Sequence, residues 1–487
     1  TSNALQLWEL QTIKATEISA YNLMIKASTL FANWVCENKQ TDNMSIAVLC
    51  GWGNNGGDGY AIAQILKNRN SSVKCYDLSF GREKSILCAK LCDEFQGEII
   101  SVSSIDDLSK LGSNSLVIDG IIGIGANRAF EKVMLHYVNH INANAKCILS
   151  IDIPSGMLPD GYTNHQTIEA TETLTFTAPK LSFFSSTNQH RLGLWEYRKI
   201  GLPRETSTSK EEATFITLDL IRDKLKPRDR FAHKGTFGHC LIVGGQKGMA
   251  GAVVLASRSA YRCGAGLVTT ASQSANRIIL QISSPESIFK ENDTPVFRIN
   301  EERYSSIAIG PGLGISKESI NQVKVLLNEL TIHVILDADA LNIIAQENLI
   351  NKINKESILT PHPKEFDRLF GESANDFERR DKQKNASIEY NIYIILKGAF
   401  STITTPSGDI YYNSTGNPGM AVGGSGDVLT GILTGLQAQG YSNLDVCILG
   451  VFLHGMAGDI AAKNLGEINM ISSDIIKELS TALKAIQ

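Results

Sequence analysis

The sequence contains no Cys-x-x-Cys pair, and its nine cysteines, an odd number scattered from Cys36 to Cys447, form no disulfide framework. That excludes a small bridge-stapled secreted scaffold and predicts a reducing, cytoplasmic setting. A charge excess is missing too. The 46 Lys+Arg against 50 Asp+Glu leave −4, too little for bulk attraction to nucleic acid or an anionic membrane. No apolar run reads as approaching the ~18 residues of a membrane span. The start TSNALQLWELQ carries Glu9 where a signal peptide would be apolar; it lacks Met and resembles a cleavage scar, so its first few residues are set aside from fold reasoning. No repeat of fixed period is present. Cys88 and Cys92, like His136 and His140, lie one helical turn apart, but neither pair has a third ligand nearby, which favours structural or surface roles over a metal site. What remains is small-molecule chemistry on two to four domains, with 43% hydrophobic residues to fill their cores.

The stretch GNPGMAVGGSGDVLTGILTGL (416–436) is the richest site. Five of its first eleven residues are glycine, and an apolar helical pattern follows. Gly423, Gly424, Ser425 and Gly426 can turn amide N–H groups toward one point that the positive end of the helix from Val428 to Leu436 also faces, which is an anion cradle. Asp427 is a carboxylate where an anion is unwelcome. It is offset by a cation, or it takes a proton from a hydroxyl that attacks a phosphate. A helix N-cap is the alternative role for it.

Upstream, Trp8 to Glu37 has the spacing of one or two helices, and Ile46–Cys50 reads as a buried parallel strand. It runs into GWGNNGGDG (51–59) and a helix from Tyr60 to Leu66, the phosphate-binding end of a βα unit, in which Asn54, Asn55 and Asp58 add hard oxygen donors. A tight Asn-Gly turn is the alternative. Further strands at Val73–Tyr76, Leu116–Asp119 and Cys147–Ile151 would bring Asn55, Asp119, Asp152 and Ser155 to one sheet edge, where ligands gather in open α/β folds. The polar segment 201–214 reads as a linker.

Beyond it, Cys240–Val243, Leu267–Ala271, Ile307–Ile309, Val334–Leu336, Ile358–Leu359 and Ile392–Leu396 read as strands that alternate with helices, one of them from Ala252 to Cys263. Loops rich in Gly, Asp or Pro follow several of them. This is a doubly wound α/β pattern with its chemistry on one edge. His362 is held between two prolines, and Lys397 at a strand end can pair with phosphate.

Taken in order, the motifs VLCGWGNNGGDG (48–59), VIDGIIGIGANR (117–128), SIDIPSG (150–156), FTAPK (176–180), HKGTFGHCLIVGG (233–245), GMAGAVVLASRSAYRCGAGLVT (248–269), IGPGLG (309–314), LDADALN (336–342), LTPHPKEF (359–366), LKGAFST (396–402) and GNPGMAVGGSGDVLTGIL (416–433) resemble those of the bifunctional NAD(P)HX repair enzymes. The resemblance implies two doubly wound three-layer α/β domains, a Rossmann-like epimerase over 1–208 and a ribokinase-like, ADP-dependent dehydratase over 209–487. The first interconverts the R and S hydrates of NADH and NADPH. The second phosphorylates the ring hydroxyl of the S form so that phosphate leaves and NAD(P)H re-forms. For the epimerase it implies hydrate contacts from Asn54, Asn55, Gly56, Gly57 and Asp58, from Gly123, Ile124, Gly125, Ala126, Asn127, Arg128 and Ala129, and from Asp152 as acid/base. It also implies a potassium ion on Asn55, Asp119 and Ser155.

For the dehydratase it implies hydrate contacts from Ala252, Gly314, His362, Pro363, Lys364 and Glu365, with Asp427 as the base. Nucleotide contacts would come from Lys397, Gly398, Ala399, Phe400 and Ser401, and from Asn417, Pro418, Gly419, Met420, Ala421, Val422, Gly423, Gly424, Ser425 and Gly426. ADP or ATP would serve as phosphoryl donor with Mg²⁺. The substrates are NADHX and NADPHX, with no nucleic acid or membrane partner, in a homo-oligomer. The alternative is a ribokinase-like small-molecule kinase fused to a non-catalytic ligand-binding Rossmann-like module.

Overall fold

The computed structural model describes residues 1–39, 45–69, 72–108, 111, 115–125, 129–203, 213–294 and 297–487. The chain divides into two compact units, one of Thr1–Glu211 with Asn375–Phe377 and one of Glu212–Ala374 with Glu378–Gln487. The expected boundary at 208/209, and most of the expected linker, lie outside the described residues.

Among the described residues, the first unit carries seven parallel strands: β1 (Ser45–Cys50), β2 (Ser72–Asp77), β3 (Glu98–Ser101), β4 (Ser115–Gly120), β5 (Cys147–Ile151), β6 (Glu172–Phe176) and β7 (Leu194–Arg198). They lie in the order β3-β2-β1-β4-β5-β6-β7. Side chains alternate across β1. Ile46, Val48 and Cys50 pack with Phe31, Trp34, Tyr60 and Leu66 on one face, and Ala47 and Leu49 with Tyr137, Val138 and Ile141 on the other. Both faces are covered, which is why β1 is apolar from Ile46 to Cys50. The strand order reverses between β1 and β4, so a crevice opens beyond their carboxyl ends, Cys50 and Gly120, which pair in register.

Two sequence expectations change here. The helix Ser2–Ala15 includes residues set aside as a scar; Ser2 donates from both its backbone N and Oγ to Asp160, at 2.6 and 2.5 Å. The segment NNGGDG is not a turn but the first turns of the helix Asn54–Asn68. Its glycines serve close approach: a Cβ at Gly56 would stand 2.0 Å from the Gly51 carbonyl oxygen, and one at Gly59 2.9 Å from Cys50 Sγ.

Among the described residues, the second unit carries ten strands: β8 (Thr214–Phe215), β9 (His239–Val243), β10 (Leu267–Ser272), β11 (Ile288–Glu291), β12 (Ser306–Ile309), β13 (Ile335–Leu336), β14 (Ile358–Leu359), β15 (Tyr393–Leu396), β16 (Thr402–Thr404) and β17 (Ile410–Tyr412). Their order is β11-β10-β9-β12-β13-β14-β15-β16-β17-β8, with β16 antiparallel to both neighbours. The expected strand starts at Val334 and Ile392 fall one residue early, and the helix expected from Ala252 spans Ala250–Arg262. That helix packs on Ser425–Ala438 at backbone contact. A Cβ at Gly431 would meet the Ala256 carbonyl oxygen at 2.0 Å, and one at Gly435 would meet that of Ala260 at 2.6 Å. The helix Asn443–Leu465 is 23 residues long and apolar enough to span a membrane, contrary to the reading of the apolar runs, but 67% of its apolar window is buried in this unit. Val446, Leu449 and Leu453 pack there with Val428, Leu429 and Ile432.

Candidate active sites

In the first unit the carboxyl ends of β1, β4, β5 and β6 border a cavity of about 670 Å³. Asn54, Asn55 and Asp58 line it from the start of their helix, Gly123, Ile124, Gly125 and Ala129 from the segment after β4, and Asp152 from the end of β5. Gly56 and Gly57 do not line it, because they face the packing of their own helix. Ala126, Asn127 and Arg128 lie outside the described residues. Asp152 is held tightly. Its Oδ1 accepts from Thr175 Oγ1 at 2.9 Å, from the Phe176 amide at 3.0 Å and from the buried Lys180 Nζ. Asp152 and Thr177 both have positive φ, +65° and +67°, so two non-glycine residues carry backbone strain at the wall of the cavity. The Thr177 hydroxyl and the Asn55 side-chain amide nitrogen are buried there without a hydrogen-bond partner. Burial first, and then the charge of Asp152, pushes Asp58 well above the usual carboxylate range, although Ser28 Oγ donates to it at 3.2 Å.

Asp119 and Ser155 do not line the cavity; both are buried outside its wall. Ser155 donates to Asp119 from Oγ at 2.5 Å and from its backbone N at 2.8 Å, and Ser150 Oγ donates at 2.8 Å. Burial raises the Asp119 pKa against these donors. Ser155 Oγ also accepts from the Ile122 amide at 2.8 Å, while Asn55 Oδ1 approaches Gly123, 3.1 Å from where a Cβ would be. Asn55, Asp119 and Ser155 thus converge on the segment 119–123.

Lys180, Thr177 and Glu9 carry no role in the sequence reading. Lys180 and Thr177 sit in the motif FTAPK, but the contact of Lys180 with Asp152 spans 28 residues and is a tertiary fact. Glu9 lines the cavity from the first helix, and burial, followed by the charge of Asp152, pushes its carboxyl up to about 7, with Lys180 opposing.

In the second unit Gly424 adopts φ +91° and caps the helix Ser425–Ala438. Ser425 and Gly426 are therefore helical, and Asp427 stands in the first turn, three residues past the cap and not at it. Val422 and Ser425 are joined by a backbone hydrogen bond of 3.4 Å, and Ser472 Oγ holds the Gly423 carbonyl at 2.7 Å. Beside the helix lies an ion-pair network. Lys397, just after β15, donates to Asp337 Oδ1 at 2.8 Å and stands 4.0 Å from Glu365. Asp337, at the end of β13, also accepts from Thr430 Oγ1 at 2.6 Å. Burial raises Asp337, but the Lys397 charge and the bonds from Lys397, Thr430 and Thr360 outweigh it and hold it below the usual range. Asp427 responds in the opposite sense. Burial, then Asp337, pushes it up to about 7 against Lys397, with Asp339 adding to the rise. A carboxyl so placed is part ionised at neutral pH and can accept a proton.

His362 caps the helix Pro363–Phe370. Its Nδ1 accepts from the amides of Lys364 and Glu365 at 3.1 and 3.3 Å, and the Glu365 carboxylate closes the capping box on the His362 amide at 2.9 Å. The rigidity expected from the flanking prolines is reinforced by this box. Gly314 N donates to Asp339 at 2.8 Å, and Ala252 packs against Gly312. At Gly398 and Gly423 a Cβ would meet nothing within 4 Å, so this flank of the cradle is open. Ser401 Oγ and Gly398 face each other at 3.4 Å, beside Ala399 and Phe400. Asn417 begins the short turn Pro418–Met420, followed by Ala421 and Val422. Its Nδ2 donates to Asp459 at 2.9 Å, as the Gly416 amide does at 3.0 Å. Asp337, Asp459 and His454, which contacts Ser425 Oγ at 3.3 Å, carry no role in the sequence reading.

A family model described as NAD(P)H-hydrate dehydratase matches residues 240–481, and one described as YjeF-related protein N-terminus matches residues 20–182. The bifunctional NAD(P)H-hydrate repair enzyme Nnr of Moorella thermoacetica is 34% identical over 471 residues, covering 92% of this chain and 89% of that protein. The chain belongs to the family of bifunctional NAD(P)H-hydrate repair enzymes. The Nnr of Escherichia coli is 31% identical, over 95% of this chain and 89% of that one. An ADP/ATP-dependent NAD(P)H-hydrate dehydratase from Bacillus subtilis, crystallised with ATP and Mg²⁺, matches with a TM-score of 0.52 at 29% identity, covering 57% of this chain and 100% of that one. A ribokinase-like superfamily protein from Enterococcus faecalis matches with a TM-score of 0.50 at 25% identity, over 57% of this chain and 98% of its own. The repair enzyme thus joins an epimerase unit to a dehydratase unit, and the kinase alternative gives way.

Proposed function

We propose that the 670 Å³ cavity is the epimerisation site and that the cradle before Asp427 is where the S hydrate is phosphorylated and dehydrated. Asn54, Asn55, Asp58, the segment 123–129 and Asp152 would hold the hydrate in the first unit. Asp152, fixed by Lys180, Thr175 and the Phe176 amide, would move the proton. A potassium ion suits Asn55, Asp119 and Ser155. Turning the Asn55 amide over would put an unpartnered buried oxygen in place of the unpartnered nitrogen, and hard oxygens are what an alkali cation takes. Bound there, the ion would supply positive charge beside Asp119.

In the second unit, the amides of 423–426 and Lys397 would receive the phosphates of ADP or ATP, with 398–401 and Asn417–Val422 framing the nucleotide. Ala252, Gly314 and His362–Glu365 would contact the hydrate. Among the described residues no group of three or more His, Cys, Asp or Glu side chains could hold a metal. Mg²⁺ arriving with the nucleotide would supply positive charge to the phosphates beside Lys397. Asp427 would take the proton of the ring hydroxyl as it attacks the terminal phosphorus, whose bond to the nucleotide breaks so that the shortened nucleotide leaves; the C–O bond to the ring then breaks, inorganic phosphate leaves, and the double bond re-forms as the neighbouring carbon loses a proton. The observation that carries this reading is the Asp427 carboxyl, pushed up to about 7 in the first turn of the cradle helix. Conversion of an R/S hydrate mixture to NAD(P)H, run separately with ADP and with ATP, tests it. Full conversion with release of inorganic phosphate is expected, and an accumulating phosphorylated product would overturn it.

A further inference from the structure

Epimerising the hydrate inverts the ring carbon that carries the hydroxyl and adjoins the ring nitrogen. In one balanced route the hydroxyl gives its proton to a base, the C–N bond breaks to leave an aldehyde, and the nitrogen takes a proton from an acid. Rotation and reclosure on the opposite face then return both protons. Two groups are needed, one to accept and one to donate. Asp152 Oδ1 accepts from Lys180 Nζ, Thr175 Oγ1 and the Phe176 amide, a donor set that suits the accepting role.

We infer that Glu9, on the helix Ser2–Ala15, is the partner that donates the proton to the ring nitrogen and takes it back on reclosure. This rests on reading the cavity as the epimerisation site. Three observations converge on Glu9. It lines the cavity opposite a residue the reaction already needs, feeling the charges of both Asp152 and Lys180. Its carboxyl has no hydrogen bond or ion pair among the described residues, whereas Asp152 has three donors and Asp58 has Ser28. Its helix is anchored, by Ser2 on Asp160 and by Trp8 Nε1 on the Pro203 carbonyl at 2.9 Å, so the free carboxyl sits on a fixed support. With its carboxyl pushed up to about 7, it is part protonated at neutral pH and can donate. The other charged groups lining the cavity are Asp58, Arg82, Glu131, Asp152 and Lys180.

The test uses the whole chain with an R/S hydrate mixture and ADP, and follows the return of NAD(P)H. The S form is consumed in a fast phase; the R form follows in a slow phase limited by epimerisation. E9Q is expected to leave the fast phase unchanged and to slow the second phase about 10²-fold or to the spontaneous rate, with its dependence on hydrate concentration unchanged. In the parent enzyme that phase should fall as pH rises through about 7, and in E9Q this limb should vanish. E9D should restore part of the rate and the limb, which a packing defect would not do. A parental slow phase with its pH limb intact in E9Q overturns the inference, as does loss of the phase in both variants with a lowered thermal midpoint. If the parent itself shows no slow phase above the spontaneous rate, the epimerase reading of the cavity falls instead.

Discussion

Both units place an aspartate at the carboxyl edge of a parallel sheet beside a lysine, yet the two pairs are built in opposite senses. In the first, Lys180 bonds the proposed acid/base Asp152 directly. In the second, Lys397 bonds a different one, Asp337, and Asp427 is left at the edge of that pair, with its proton affinity raised. On the proposed roles, a reaction that only exchanges protons within one substrate is served by a fixed pair at the cavity wall. One that must admit a second substrate would keep its lysine within reach of incoming phosphate and its proposed base, Asp427, without an ion pair among the described residues, beside the open flank at Gly398 and Gly423.

The sharpest way to break this comparison is to remove each aspartate in turn. Asp427→Ala should lower dehydration of the S hydrate by about 10²–10⁴-fold while R/S interconversion, followed by resolving the two epimers without nucleotide, stays parental. A variant that dehydrates at near the parental rate would end the base assignment. Asp152→Asn should do the reverse, slowing interconversion by about 10²–10³-fold with the S-hydrate rate unchanged. A smaller effect is expected at Gly426, where a Cβ would stand 3.4 Å from Lys397 Nζ. Gly426→Ala should raise the nucleotide KM severalfold, roughly 1 kcal/mol of lost binding, with a lesser change in kcat.

The smallest effect concerns stability. The Asp427 pKa is raised in the fold from 3.8 to about 7, so the folded chain holds a proton that the unfolded chain has released between those values. Stability therefore declines as pH rises through that window, and the penalty is complete above about 7. Asp427→Asn should raise the thermal midpoint of the second unit by a few °C at pH 8 and by almost nothing near pH 4, measured by calorimetry. Equal shifts at both pH values would mean that Asp427 is not held out of its ordinary range.

Most central strands were legible as short apolar runs, because strands covered on both faces leave that signature. β3 and β7 escaped notice because they lie at the sheet edges with no fully buried residue, so neither shows the apolar run of a covered strand. The glycines of NNGGDG were read as a turn, whereas they lie in a helix; in GGSG, Gly423 and Gly424 do form a turn, and only Gly426 is helical. At Gly56 and Gly57 glycine marks where another backbone passes close, and at Gly426 where Lys397 does, and sequence does not distinguish that use from a turn. Asp427 was legible because a carboxylate in an anion cradle is a local contradiction. Lys180, Asp337, Asp459 and Glu9 were not, since each acquires meaning only through a neighbour brought up by the fold.

The strand β8 lies at the very start of the second unit and pairs with β17, Thr214 beside Tyr411 and Phe215 beside Tyr412, with the Ile216 amide donating to the Tyr412 carbonyl at 2.9 Å. During synthesis these residues leave the ribosome long before their partner exists. The dehydratase sheet then cannot be finished at its β8 end until almost the whole chain has been made, so the epimerase unit has time to fold first and the last strand waits. An expression fragment that begins a few residues after Phe215 would keep Asp427 and its network but leave β17 as an open edge, inviting pairing between molecules.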